Sequence, residues 1–442
     1  MAEPGNDSTA VGGSRRWRLL PATAAVAFAL LTAHAACIET PTIDEFAHLP
    51  AGLAYLEHGA LGLYAKNPPL FKMAMALGAA GVPDLGVPPP VGIAHFAQGW
   101  GPWNYAANFM DANREHYFTI FFRARLVVIA TSLALAALIF AWTRELFGER
   151  SASITTALVL LSPTLLAHGH LATLDVACAA GILASLYALR WAMRDAPTGN
   201  LVWVLSQWRV AIAGAVFGVA LLVKFTALLL APALLGLLIW KRRTSPGRAA
   251  GEVALLFAVA VGVVNLGMGG RGSLAPLGDQ SFRSEFARQV QSLLPEWTPM
   301  PLPRDYVLGF DAVKRDSEQG ELGSYLFGRW TQRGVWYHDI VAFAVKTPLP
   351  LLAMLAVCPF ALRRCLLSGR LARGELPWLL APLVTLGFGL IFVNQVKIGV
   401  RYLLPLEPLL WLVTASFPVG RGEATCCGAS FVAPFAMGTS SA

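Results

Sequence analysis

Long apolar runs, separated by short polar breaks, set the pattern of this chain. The first covers residues 19–37, directly behind Arg15, Arg16 and Arg18. Others lie at 126–142, 154–167, 171–191, 253–268, 340–362, 376–393 and 402–417. A helix of ~20 apolar residues spans a ~30 Å hydrocarbon core, so these runs predict membrane helices. The run 210–240 is too long for one span, since at ~1.5 Å per residue it would reach about 46 Å. Broken at Lys224-Phe225-Thr226 it makes two short helices, which the arginines on both flanks favour. The pattern predicts an all-α polytopic bundle of about ten helices.

Composition agrees. Apolar residues make up 56% of the 442 positions and charged residues 14%, against about 25% charged in a soluble domain. So much apolar surface needs lipid as its solvent. The first run has the basic flank of a signal peptide, but its length and the spans behind it predict a retained helix. Net charge is +8, carried by clusters between the apolar runs. That arrangement fits membrane orientation and contact with membrane lipids, and no nucleic-acid partner is expected. The six cysteines include no CxxC and read as small apolar fillers. Basic clusters at 144–150, 190–209, 241–248 and 363–373 predict the cytoplasmic side, with both termini cytoplasmic. Two large outer loops follow, 39–125 and 269–339, the second with an amphipathic helix at 281–294. Residues 1–14 read as a disordered N-terminus, 15–420 as the transmembrane domain and 421–442 as an unstructured tail.

The stretch 42–72 carries the candidate chemistry. Asp44 and Glu45 open a short helix whose Phe46, Leu49, Leu53 and Leu56 make a stripe suited to the bilayer surface. A carboxylate at a water–lipid boundary can serve as a general base; equally, Asp44 can simply N-cap the helix. Asp175, at the end of an apolar helix, is either another N-cap or a functional acid at the membrane boundary. His168 and His170 fit a solvated loop better than a metal site. Lys72, Lys224, Lys346, Lys397 and Arg401 are cations on the expected outer side, where positive charge is disfavoured. A lipid-linked phosphate would explain them. Cations can stabilise a departing phosphate while one carboxylate takes the proton of an acceptor hydroxyl.

Asp44-Glu45 with His48 and Gly52, then Asn67-Pro68-Pro69-Leu70 and Lys72, resemble the first outer loop of the GT-C glycosyltransferases. The likeness is to bacterial phospholipid-carrier-dependent members related to protein O-mannosyltransferases and the lipid A aminoarabinose transferase. The segments ending at Asp175, and those around Lys224, Lys346 and Arg401-Tyr402, resemble later motifs of that family. The resemblance implies a GT-C-like bundle with outer juxtamembrane helices, a polyprenyl-phosphate-sugar donor, an acceptor outside the cytoplasm of a bacterial inner membrane, and inversion at the anomeric carbon. It also implies roles: Asp44 as base, Glu45 orienting nearby groups, and Asp175 supporting the acceptor or a cation. Lys72, Lys224, Lys346 and Arg401 would hold the carrier phosphate, and His48, Asn67 and Tyr402 would contact sugar or acceptor. Some relatives use a divalent cation, which here would sit at Asp44 and Glu45.

Two alternatives stay open on the residues alone. A transporter or flippase would also carry ionisable groups in helices, although no inverted repeat is evident. Chains of this kind usually continue beyond the Arg401-Tyr402-Leu403-Leu404-Pro405 segment, so an inactive, truncated GT-C-fold protein is the other.

Overall fold

The computed structural model describes residues 8–90, 101–194, 203–204, 207–320, 323–332, 334–397 and 399–417. Among these, six helices are long and apolar enough to cross a membrane: Leu19–Ile38, Tyr117–Leu160, Asp175–Ala192, Pro246–Gly267, Leu349–Leu367 and Arg373–Val393. Leu70–Ala79, Gln207–Val223 and Phe225–Lys241 are shorter apolar helices. The protein is an all-α integral membrane bundle, as the pattern predicts.

The chain enters through α1 (Ser8–Ile38), turns into α2 (Ile43–His58), and packs α3 (Leu70–Ala79) against it. Helix α1 begins inside the stretch expected to be disordered, while 1–7 and 421–442 lie outside the described residues. Gly52 lets α2 and α3 approach closely, since a Cβ there would collide with the Lys72 carbonyl. The stripe on α2 does not lie on lipid as expected. Leu49 and Leu53 are buried in the protein core, because α3 and the next membrane helix cover that face.

After α4 (Gly101–Ala112), helix α5 runs from Tyr117 to Leu160 and breaks at Gly148, with φ 86° and ψ 172°. Such a φ suits glycine, which has no Cβ to clash. The second arm folds back, so that Val159 and Leu165 line a small cavity with Leu135 and Ile139. The runs 126–142 and 154–167 are thus two arms of one hairpin. Helix α6 (Pro163–His168) leads to α7 (Asp175–Ala192). The expected break at 224 is present. Helix α8 (Gln207–Val223) ends, Lys224 is extended (φ −156°, ψ 140°), and a 3-10 turn Phe225–Leu230 runs into α9 (Ala231–Lys241). Helix α10 (Pro246–Gly267) follows.

The second large loop holds α11 (Glu285–Leu293), α12 (Arg304–Gln319) and a two-stranded antiparallel hairpin, β1 (Ser324–Leu326) and β2 (Arg329–Thr331). The hairpin was not legible in the pattern. The run 340–362 is also not one helix. It divides at Thr347-Pro348 into α13 (His338–Lys346) and α14 (Leu349–Leu367), because the residue before a proline leaves the helical region. Helix α15 (Leu376–Phe388) continues as a π-turn to Val393, and a 3-10 turn Val400–Leu403 precedes α16 (Glu407–Thr414).

Ion pairs lock the bundle at the end of α7 away from Asp175. Arg190 donates to Glu375 Oε2 (2.7 Å) and to Glu145 Oε2 (2.7 Å), joining α7 to α5 and to the segment before α15. Arg242 and Glu252 make a buried bidentate pair at 2.9 Å between α9 and α10. Each breaks the apolar pattern, and each is satisfied by its partner.

Candidate active site

Glu45 and Arg125 form the frame. Arg125 Nε donates to Glu45 Oε1 (2.8 Å) and its terminal nitrogen to Oε2 (2.9 Å). The backbone N–H groups of Ala172 (2.7 Å) and Thr42 (2.8 Å) take the remaining lone pairs, the latter as half of a capping box. Arg125 also donates to the carbonyls of Ala36, Glu39 and Thr40. One buried pair therefore ties the end of α1, the start of α2, α5 and the loop before α7. Burial would raise the Glu45 carboxyl, but the hydrogen bonds and charge of Arg125 hold it below the ordinary carboxylate range.

This frame turns Asp44 towards the chain's far end. Thr42 is the N-cap residue, not Asp44, and the Asp44 carboxylate pairs with Arg401. Asp175 is likewise no cap: it is the first residue of α7 and accepts from Lys224 Nζ at 2.5 Å. Lys224 can reach it because its extended backbone breaks the helix there. Tyr402 separates the two pairs, with its ring 5.2 Å from Lys224 Nζ and 5.8 Å from Arg401 Cζ.

Lys346 is exposed at the end of α13, has no ion-pair partner among the described residues, and lies beside Gly399 in the Arg401 loop. The start of the same helix is fixed by Lys397, which is buried and donates to Asp339 (2.8 Å) and to the carbonyls of Leu390 and Ile391. Lys397 is thus a strut and not a free outer cation.

His48 is buried and stacks on Tyr64 (centroids 5.0 Å apart), with its Nδ1 unpartnered. Burial, then the charge of Lys72, holds its imidazole well below the ordinary histidine range. His168 shares Asp175 and Arg401 among the charges that act on it. Burial lowers it, Asp175 opposes this, and Arg401, His170 and Lys346 add to it. Its position beside the acids was missed, because a histidine in a loop of unknown path carries no such signal. His170, its near neighbour, turns away to Glu39 Oε2 (2.9 Å) and the Leu166 carbonyl.

Lys72 is a correction. It is 0% exposed, and its ammonium donates to the carbonyls of Tyr64 (2.6 Å) and Asn67 (2.7 Å) and to the Tyr55 hydroxyl (3.2 Å). It also sits 4.4 Å from the Tyr64 ring. Three donors meet three acceptors, and burial pulls the amine well below the ordinary lysine range. No donor remains for a phosphate. Lys72 instead folds the 64–67 loop, with Asn67 contributing its carbonyl.

A divalent cation on Asp44 and Glu45 does not fit these residues. A carboxylate offers about four lone-pair directions, and all four of Glu45 are taken. Asp44 faces a guanidinium. Among the described residues, no three His, Cys, Asp or Glu side chains group to hold a metal. The site is instead a set of acids, each with its own cation, beside the exposed Lys346.

The all-α polytopic bundle, with its charged cluster at the helix ends, is similar in fold to membrane proteins of GT-C architecture. Residues 119–266 match the family described as dolichyl-phosphate-mannose-protein mannosyltransferase. No curated protein matches the chain. Among solved structures it is similar to ArnT from Cupriavidus metallidurans bound to undecaprenyl phosphate, with TM-score 0.54 and 15% identity over 90% of this chain and 59% of that one. It is also similar to the oligosaccharyltransferase AglB from Archaeoglobus fulgidus, in complex with an inhibitory peptide and a dolichol-phosphate. There the TM-score is 0.52 and the identity 12%, over 90% of this chain and 50% of that one. The chain therefore spans between half and three fifths of the length of these structures. The likeness is one of fold, that of the GT-C bundles.

Proposed function

We propose that this chain moves a sugar from a polyprenyl-phosphate carrier to an acceptor hydroxyl, with inversion at the anomeric carbon. The observation that carries the reading is the convergence of Asp44 and Asp175 with Arg401, Lys224 and the exposed Lys346, residues far apart in sequence. The family match and the carrier lipids bound by ArnT and AglB support it.

In the reaction, the acceptor oxygen attacks the anomeric carbon as the bond from that carbon to the phosphate oxygen breaks. The phosphate leaves with the bonding electrons, and Asp44 takes the hydroxyl proton. Arg401, Lys346 and Lys224 stabilise the negative charge that grows on the leaving phosphate. Asp175 positions Lys224, and Glu45 positions Asp44 through the Arg125 frame. His48 and Tyr402 line the sugar or acceptor side. The basic clusters support a site on the extracytoplasmic face of a bacterial inner membrane, with residues 15–420 as the transferring domain.

The test is sugar transfer by purified protein supplied with polyprenyl-phosphate sugars and an envelope extract, comparing the parent with Asp44→Asn. Transfer by the parent that falls about 10²–10⁴-fold in the variant, with carrier binding retained, is expected for loss of a general base. Equal transfer by both would overturn the role of Asp44, and parent protein that binds carrier but transfers no sugar would overturn the reaction.

A further inference from the structure

The hairpin of the second large loop is built at a cost that the fold itself does not explain. Its register pairs Tyr325 with Trp330 and Leu326 with Arg329, leaving a two-residue turn at Phe327 and Gly328. Both turn residues have positive φ, +49° and +79°. That turn favours Asn-Gly, and an aromatic residue there is strained. Yet Phe327 makes no compensating core contact, being 76% exposed. Trp330 is 68% exposed and Tyr325 61% exposed. A bulky ring held at a strained, exposed tip asks for a partner outside the chain.

An aromatic strip identifies that partner. Phe388 and Phe392, on the exposed side of a membrane span, have ring centroids 5.5 Å apart. Phe392 stacks on Trp336 (5.7 Å, interplanar angle 20°), and Trp336 meets Tyr337 edge-on. The strip thus climbs from the end of Arg373–Val393 to the segment just behind the hairpin, and Trp336 and Tyr337 are themselves exposed. Tryptophan and tyrosine concentrate where hydrocarbon meets headgroups. The hairpin's only charge is Arg329, a cation without a neighbouring acid in residues 323–332, which suits anionic lipid.

We propose that Tyr325, Phe327 and Trp330 form a membrane-interface anchor, seated at the headgroup level of the leaflet on the active-site side. It would hold the second large loop against the bilayer beside the site, independently of which sugar is moved.

The full chain would be reconstituted in nanodiscs of phosphatidylcholine and phosphatidylglycerol, with plain lipids or lipids brominated near the headgroup or near the chain ends. The tryptophan emission lost in Trp330→Phe relative to the parent isolates Trp330. That component should be quenched at least about twofold more by shallow bromines than by deep ones, as a ring at headgroup level requires. Phe327→Gly relieves the turn, because glycine accepts positive φ freely, and should reduce the quenching without lowering the thermal midpoint. Equal Trp330 emission in plain and brominated discs would overturn the anchor. Absent quenching combined with a raised acceptor KM in Phe327→Gly would also overturn it, assigning the surface to the acceptor.

Discussion

Asp44 and Arg401, separated by 357 positions in the chain, meet as an ion pair at the centre of the candidate site. The pair joins the first loop to the last, so the proposed base and the proposed phosphate-facing cation are brought together only when the bundle closes. Arg401 therefore has two jobs in the proposed reaction, positioning the carboxylate and meeting the phosphate.

Arg401→Gln should lower transfer about 10²–10³-fold, the loss typical of removing one charge-stabilising donor. Arg401→Lys should recover only part of it, because an ammonium lacks the planar fork that can serve a carboxylate and a phosphate together. Steady-state kinetics with a fixed acceptor would check this. Full activity in Arg401→Gln would remove the residue from the chemistry.

Lys346 and Lys72 should behave as opposites. Lys346→Gln is expected to raise the carrier KM about tenfold with little change in kcat, an effect that shrinks with added salt as screening grows. Lys72→Met should leave the carrier KM alone and destabilise the fold by about 1–3 kcal/mol for each buried carbonyl stripped of its donor. Binding assays with polyprenyl phosphate, run beside thermal melts, separate the two. A binding loss in a well-folded Lys72→Met protein would restore Lys72 to the phosphate site.

The Glu45 clamp has a pH signature. Its folded pKa lies below the ordinary value of 4.5, so its contribution is complete above that value and is lost as pH falls through the depressed one. Glu45→Gln should cost about 3–5 kcal/mol at neutral pH by leaving Arg125 buried without its counter-charge. It should also flatten this part of the acid limb of stability. Melting temperatures of parent and variant from pH 7 to pH 3 would test the sign, and parallel curves would refute it.

Asp175 and Lys224 form a second, partly buried pair at 2.5 Å, and their removal should be non-additive. Asp175→Asn alone strands a partly buried ammonium. Asp175→Asn with Lys224→Met should regain part of the lost stability without regaining transfer, since the phosphate-facing cation is gone. A double-mutant cycle on melting and on rate measures both. Strict additivity of the stabilities would mean that the two side chains do not interact.

The membrane helices were legible because lipid imposes a simple rule: an apolar run of span length, bounded by polar residues, has one stable solution. The hairpin break at Lys224 was legible for the same reason, through length. The acids Asp44 and Asp175 stood out because charge is rare near such helices. What the sequence could not give was partnership. Lys72 and Lys346 are equally lone lysines in one dimension, yet one is wrapped by Tyr55, Tyr64 and Asn67 and the other is open. Arg125, only the end of the first outer loop in one dimension, becomes the hub of the frame because α1, α2 and the loop before α7 converge on it. Burial and pairing depend on which helices become neighbours. Local pattern determined where the apolar helices lie; tertiary packing decided which runs divide and which charges are paired or left exposed.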